Sequence, residues 1–382
     1  MEQKKVYTFI LLMGVVSLLG DIIYEGTRGI TGSYLHSLGS SMVIVSITSG
    51  LGEFLGYSLR LFSGFFIDRL KAYWLFTFLG YGLLISIPLL FFVNRLDLAI
   101  FFLLLERIGK GLRSPARDSI VSFVSQKIGR GVGFGITEAL DQVGAILGPL
   151  IFLVSYSIYH NYKAGFAVMF IPYFLLMLTL FIARSFVPNP DKIEKEYDVN
   201  HPKKVFYIYI LFSFFSIISV PSYQVISYFF KASGVLSDTQ VMFFYIIAMF
   251  VDLVFALIIG KLYDIYKFKV LTVLPIFSFL LIVFSFKEYF YFSVMSVILY
   301  GSVLAIHESV MRSSIADVTH ISKRGFSYGV FNFVFGFGYF LGNVIIGFLT
   351  KFGYLYLLFF AGLSQLIAII FLIYLFVLLK KD

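Results

Sequence analysis

Apolar residues fill this chain in blocks of about 20, separated by short polar breaks, and polar positions inside the blocks do not alternate. About 20 apolar residues span the hydrocarbon core as a helix. Barrel strands would instead show a period of two. The blocks predict twelve spans, at about 6–30, 40–62, 73–93, 97–119, 131–158, 164–186, 205–230, 237–260, 268–286, 289–310, 325–349 and 353–379. The expected class is an all-α integral membrane protein. One long polar stretch, PNPDKIEKEYDVNHPKK, divides the pattern nearly in half. It predicts an N-terminal six-helix half over 1–187, a cytoplasmic linker over 188–204 and a C-terminal six-helix half over 205–382.

Composition agrees with the pattern. Only 13% of the 382 residues are charged, against about 25% in a soluble domain. Met1–Lys5 runs directly into an apolar block carrying acids, so no cleavable signal is expected. The net charge of +9 invites a nucleic-acid reading, but its distribution argues against one. With both termini in the cytoplasm, the outer loops hold only Arg95, Lys163, Lys231, Lys287 and Lys351 of the thirty basic residues. Basic residues gather on the inner side of membrane proteins, so the charge sets topology. A multi-pass protein of the cell membrane follows, with lipid around it and no nucleic-acid partner. Cysteine is absent, which excludes disulfides and thiolate metal sites. No nucleotide-binding or nucleophile motif stands in a fitting context. No metal, no cofactor and no enzymatic activity are expected.

The halves repeat. Gly64-x3-Asp68 recurs 196 residues on as Gly260-x3-Asp264. Gly135, Gly144 and Gly148 recur 194 residues on as Gly329, Gly338 and Gly342. Two halves in one orientation are the mark of parallel repeats about an axis along the membrane normal.

Charge at membrane depth costs several kcal/mol or more, roughly, and usually marks a pathway or gate. In span 1, Asp21, Glu25 and Arg28 fall within about 60° of one another on a helix. Burial and a nearby arginine act on such a carboxylate in opposite senses, so Asp21 or Glu25 can exchange protons near neutral pH. The other reading is a fixed Arg28–Glu25 pair. Span 2 holds Glu53 near mid-membrane and Arg60 toward its end, where a long side chain can reach the interface. Span 4 carries Glu106, Lys110, Arg113 and Arg117 in one stripe and Arg107, Gly111 and Asp118 in the next. Arg107 stays protonated and can tune a carboxylate, hold an anionic group, or pack against Glu106 or Glu138. Span 5 places Glu138 and Asp141 on one arc. Its glycines Gly135, Gly144 and Gly148 permit close packing, and Pro149 a bend. The C-terminal half is sparser, with Asp252 as an isolated acid in span 8.

The chain resembles the major facilitator superfamily over essentially its whole length. Gly64-Phe-Phe-Ile-Asp68-Arg69 is similar to the first half of that family's loop signature; the glycine and arginines that usually follow are replaced by Lys71, Ala72 and Tyr73. Arg107-x3-Gly111 is similar to its span-4 signature. Gly135-x8-Gly144-x3-Gly148-Pro149 is similar to its antiporter signature, with Phe152 and Leu153 where further glycines would stand. ERIGKGLRSPARD also resembles prokaryotic members described as transporters or drug exporters. The resemblance implies two halves rocking about a midplane site. Arg107 would line the cavity and tune proton release. Gly64, Asp68, Arg69, Lys71, Arg117 and Asp118 would form a cytoplasmic gate, with Asp68 facing the start of span 11. The expected function is proton-coupled export of a small organic or amphipathic solute by a monomer. Nutrient symport or facilitation, and a non-transporting sensor or lipid-handling role, are the alternatives.

Overall fold

The computed structural model describes residues 3–125, 128, 130–188, 204–311, 314, 315, 318 and 324–380. Residues 189–203 of the expected linker lie outside the described residues, as does the side chain of Asp68.

The described chain is all helical, and the twelve spans appear where the apolar blocks place them. Ten are long and apolar enough to cross a membrane. The two others have visible reasons for falling short. Span 4, Leu96–Ser125, carries the charged stripes. Span 7 is two helices, Lys204–Ile217 and Tyr223–Ala232. The expectation of a continuous span at 205–230 is corrected here. Pro221 has no N–H to donate, so the helix stops before it. Carbonyls and N–H groups freed by such a break must find partners at membrane depth. The Gln365 amide donates to the Ser216 carbonyl at 3.1 Å and to the Ser219 hydroxyl at 2.7 Å. The Asn343 side chain accepts from the Ser222 N–H at 2.8 Å, and Ser222 caps the second helix by accepting from Val225 N–H.

Span 1 is Gln3–Arg28, followed by a short helix, Thr31–Ser37. Span 2 runs as one helix over Met42–Leu70, eight residues beyond the expected end, so Gly64 and Asp68 lie on helix rather than in a turn. Span 5 is Arg130–Tyr159 and span 11 Arg324–Leu349. Span 10 ends in a wide turn of π type, Ile306–Met311.

By its internal contacts the chain forms two compact units. The first holds Met1–Ile30 and Ser58–Glu196; the second holds Thr31–Tyr57 and Tyr197–Asp382. In the first unit span 1 packs most extensively on span 5. A methyl group at Gly144 would stand 2.5 Å from the Leu18 carbonyl oxygen, and one at Gly148 would overlap that of Ile22. In the second unit Gly338 meets Phe214 and Ile217, and a methyl at Gly342 would overlap the Ile218 carbonyl. The glycine repeat of the sequence is therefore a repeated seam, spans 1 and 5 in one unit, 7 and 11 in the other. The second unit also contains the first half of span 2. Ser49 and Ser222 share a hydrogen bond at 2.9 Å, and Phe54 is ringed by Phe333, Phe337 and Phe340.

Serines repeat as well. Ser114 and Ser119 donate back to the carbonyls of Lys110 and Pro115; Ser309 and Ser314, 195 residues on, donate to those of Ala305 and Val310. These bonds lie at Pro115 in span 4 and at the π turn in span 10. The two spans thus depart from regular helix at corresponding places.

Candidate functional site

The charged residues of spans 1, 4 and 5 converge within the first unit. The helical spacing read from the sequence places them on facing stripes, and the glycine seam brings the stripes together. In span 1, Arg28 donates to Glu25 at 3.4 Å, and both are buried. Glu106 is 2% exposed and is shared by two guanidinium groups, Arg107 at 3.3 Å and Arg113 at 3.8 Å. Arg117 reaches across the unit. It lies 3.4 Å from Asp141 on span 5, donates to the Ser17 hydroxyl on span 1 at 2.7 Å and pairs with its neighbour Asp118 at 3.0 Å.

Tyr24 stands at the centre of the upper part of this cluster. Arg107 donates to its hydroxyl. Three cations surround its ring: the Lys110 ammonium 3.6 Å from the centroid, the Arg107 guanidinium at 4.5 Å and that of Arg28 at 5.7 Å. Cations favour the electron-rich ring face, the more so away from water. Tyr81 takes the same part lower down, with Arg113 5.1 Å from its centroid.

Two members of the cluster stand apart. Glu25, Glu106, Asp118 and Asp141 each have a guanidinium at ion-pair distance. Asp21 has an ion pair with no described residue, and its methylene borders Gly144. Lys110 likewise has no carboxylate at that distance among the described residues; its ammonium rests on Tyr24. Each is an electrostatic neighbour of the other.

The remaining expected residues are dispersed. Glu138 is exposed on span 5, outside the ion-pair network. Glu53 and Asp252 are buried in the second unit. Arg60, half-buried, is an electrostatic neighbour of Lys110. Gly64 lies 3.9 Å from Pro115, measured from an added methyl. Arg69 is exposed at the end of span 2, and Lys71 follows with a φ of 52°. Asp118 pairs with Arg117. The surroundings of Gly135 and the side chain of Asp68 lie outside the described residues. Pro149 sits inside the span-5 helix beside Gly148. Sequence reasoning passed over Tyr24, Tyr81, Ser17 and Ser63. Aromatics make up 20% of the chain, so two tyrosines beside cations carried no distinct signal. Among the described residues no group of His, Asp and Glu could hold a metal ion.

Residues 8–286 match the Major Facilitator Superfamily. The chain belongs to this superfamily of membrane transporters. A Mycobacterium tuberculosis protein described as uncharacterized is 34% identical over 354 residues, covering 90% of this chain and 87% of its own. An uncharacterized MFS-type transporter of Methanocaldococcus jannaschii is 27% identical, covering 91% and 89%. Among solved structures, a mutant of the nucleoside transporter NupG aligns with a TM-score of 0.76 at 16% identity, over 95% of this chain and 98% of that one. A bacterial homolog of the human lysosomal transporter Spinster aligns with 0.71 at 13% identity, over 98% and 96%. At these identities the structural neighbours speak for the fold alone. As a member of this superfamily, the chain is a multi-pass membrane transporter and not an enzyme.

Proposed function

We propose that this protein is a proton-coupled secondary transporter that exports a small organic or amphipathic solute by alternating access, and that Asp21 is the exchange position. The observation that carries this reading is the pairing pattern around Asp21. Among the described residues it is the one acid of the cluster without a guanidinium at ion-pair distance, while Arg117 holds Asp141, Arg28 holds Glu25, and Arg107 and Arg113 hold Glu106. A carboxylate locked to an arginine has little reason to change its proton. A carboxylate flanked by mobile charge can hold a proton or a positively charged group of the solute, but not both, and that exclusion is the basis of exchange.

The packing supports the same reading. Asp21 adjoins the Gly144–Leu18 seam, where side chains leave no slack, so a change of charge there acts directly on the contact between spans 1 and 5. Arg107, fixed by Tyr24 and Glu106, supplies a permanent positive charge. The division into six-helix halves about residues 188–204, a cytoplasmic position for both termini in the cell membrane, and action as a monomer are part of the proposal; the basic-residue distribution and the repeated seams support the first two.

The test is a panel of reconstituted variants, Asp21→Asn, Glu25→Gln, Glu138→Gln and Asp141→Asn, assayed for solute movement driven by a pH gradient and for solute counterflow without one. Asp21→Asn is expected to lose the first and keep the second. Full pH-driven flux in Asp21→Asn would overturn its coupling role, and loss of flux in another of the variants alone would move that role to the acid concerned.

A further inference from the structure

We infer that the transported solute carries an anionic group as well as a cationic one, and that Lys110 receives the anionic group on the face of Tyr24. This rests on the reading of Asp21 as the exchange position and adds the chemical class of the solute.

The argument begins with charge balance. Five acids and five bases of spans 1, 4 and 5 make up the cluster. Four acids and four arginines are joined in ion pairs, with Glu106 shared by two arginines and Arg117 by two acids. Among the described residues what remains outside the ion pairs is one carboxylate, Asp21, and one ammonium, Lys110, each the other's electrostatic neighbour. Unneutralised charge at membrane depth is costly. A solute bearing only a positive group would satisfy Asp21 and leave Lys110 without a counter-charge. A solute bearing only a negative group would do the reverse. A zwitterion satisfies both and leaves the total charge of the cluster unchanged.

Position and chemistry select Lys110 over the arginines for this role. Arg107 already donates to Tyr24 and lies against Glu106. Among the described residues Lys110 has no carboxylate at ion-pair distance, and its ammonium rests on the ring, 3.6 Å from the centroid. A cation–ring contact orients an ammonium and leaves its other N–H donors available. Lys110 is half-buried, whereas Arg107 and Arg113 are buried. A carboxylate, phosphate or sulfonate can therefore reach Lys110 without breaking an existing ion pair.

The test measures equilibrium binding to the full-length protein in detergent at low ionic strength, with no gradient. The probes are aminomethylbenzoate, benzylammonium, benzoate, and linear ω-amino acids of increasing length. The best zwitterion is expected to bind at least about tenfold more tightly than either singly charged aromatic, a difference that one charge-assisted contact supplies. Lys110→Gln should abolish that preference and, with a neighbouring cation gone from Asp21, bind benzylammonium at least as tightly as wild type; Lys110→Arg should restore part of the preference. Three results would overturn the inference: benzylammonium binding wild type as tightly as every zwitterion, the zwitterion preference surviving Lys110→Gln, or no binding by any zwitterion. The coupling role of Asp21 is read separately, from pH-driven flux. A Lys110-dependent zwitterion preference in a protein whose Asp21→Asn variant keeps full pH-driven flux would sink the coupling role and leave the anion position standing.

Discussion

Ser63 supplies the hydrogen bond that Pro115 takes away. Its hydroxyl donates to the Gly111 carbonyl at 2.8 Å, four residues before the proline, where a regular helix would bond the absent N–H. Span 2 thereby closes a gap in span 4 in the middle of the charged segment. Ser63→Ala is expected to lower the stability of the purified protein by about 1 kcal/mol. In a Pro115→Ala background, where the backbone N–H returns, the same change should cost much less. A double-mutant cycle by reversible unfolding measures this coupling. Equal costs in both backgrounds would remove the relationship.

The glycine seams make a contrast within one sequence. Gly148 and Gly342 leave no room for a methyl group beside the carbonyls of Ile22 and Ile218, whereas Gly82 and Gly260 have open space around them. Gly148→Ala and Gly342→Ala should each cost about 1–3 kcal/mol as overpacking. Gly82→Ala and Gly260→Ala, inside helices, should be neutral or stabilising by about 0.5–1 kcal/mol. Unfolding midpoints of the four variants decide the matter, and a common small effect would contradict the packing.

Tyr24 joins the cations of spans 1 and 4 through both its ring and its hydroxyl. Tyr24→Phe keeps the ring and loses the Arg107 bond; Tyr24→Leu loses both. Cation–ring contacts are worth about 0.5–2 kcal/mol. Transport should fall several-fold in Tyr24→Phe and further in Tyr24→Leu, measured as initial rates at equal protein density in liposomes. Equal rates in the two variants would show that the ring has no part.

Much of this was legible in the sequence, and the residues show why. A stripe such as Glu106–Lys110–Arg113–Arg117 declares its own face, because helical spacing is local. Gly144 and Gly148 declare a seam, because small residues at i and i+4 have few other uses in a span. What spacing does not reveal is the partner. Nothing local distinguishes Tyr24 from the other tyrosines until span 4 lies against span 1. Spacing likewise does not show that Asp118 pairs with its own neighbour Arg117. Pro221 is visible, yet the break it makes depends on Asn343 and Gln365, more than a hundred residues away, to bond the exposed backbone. The grouping of Thr31–Tyr57 with the C-terminal residues is likewise a matter of long-range contact.

The central claim is that Asp21, and not one of the arginine-held acids, takes up and releases the proton. The most direct measurement is the pH-difference infrared spectrum of the reconstituted protein, followed through the carbonyl stretch of a protonated carboxyl group. The account predicts a band that grows on acidification in wild type, persists in Glu25→Gln and Asp141→Asn, and is missing in Asp21→Asn. A band of full amplitude in Asp21→Asn would contradict it.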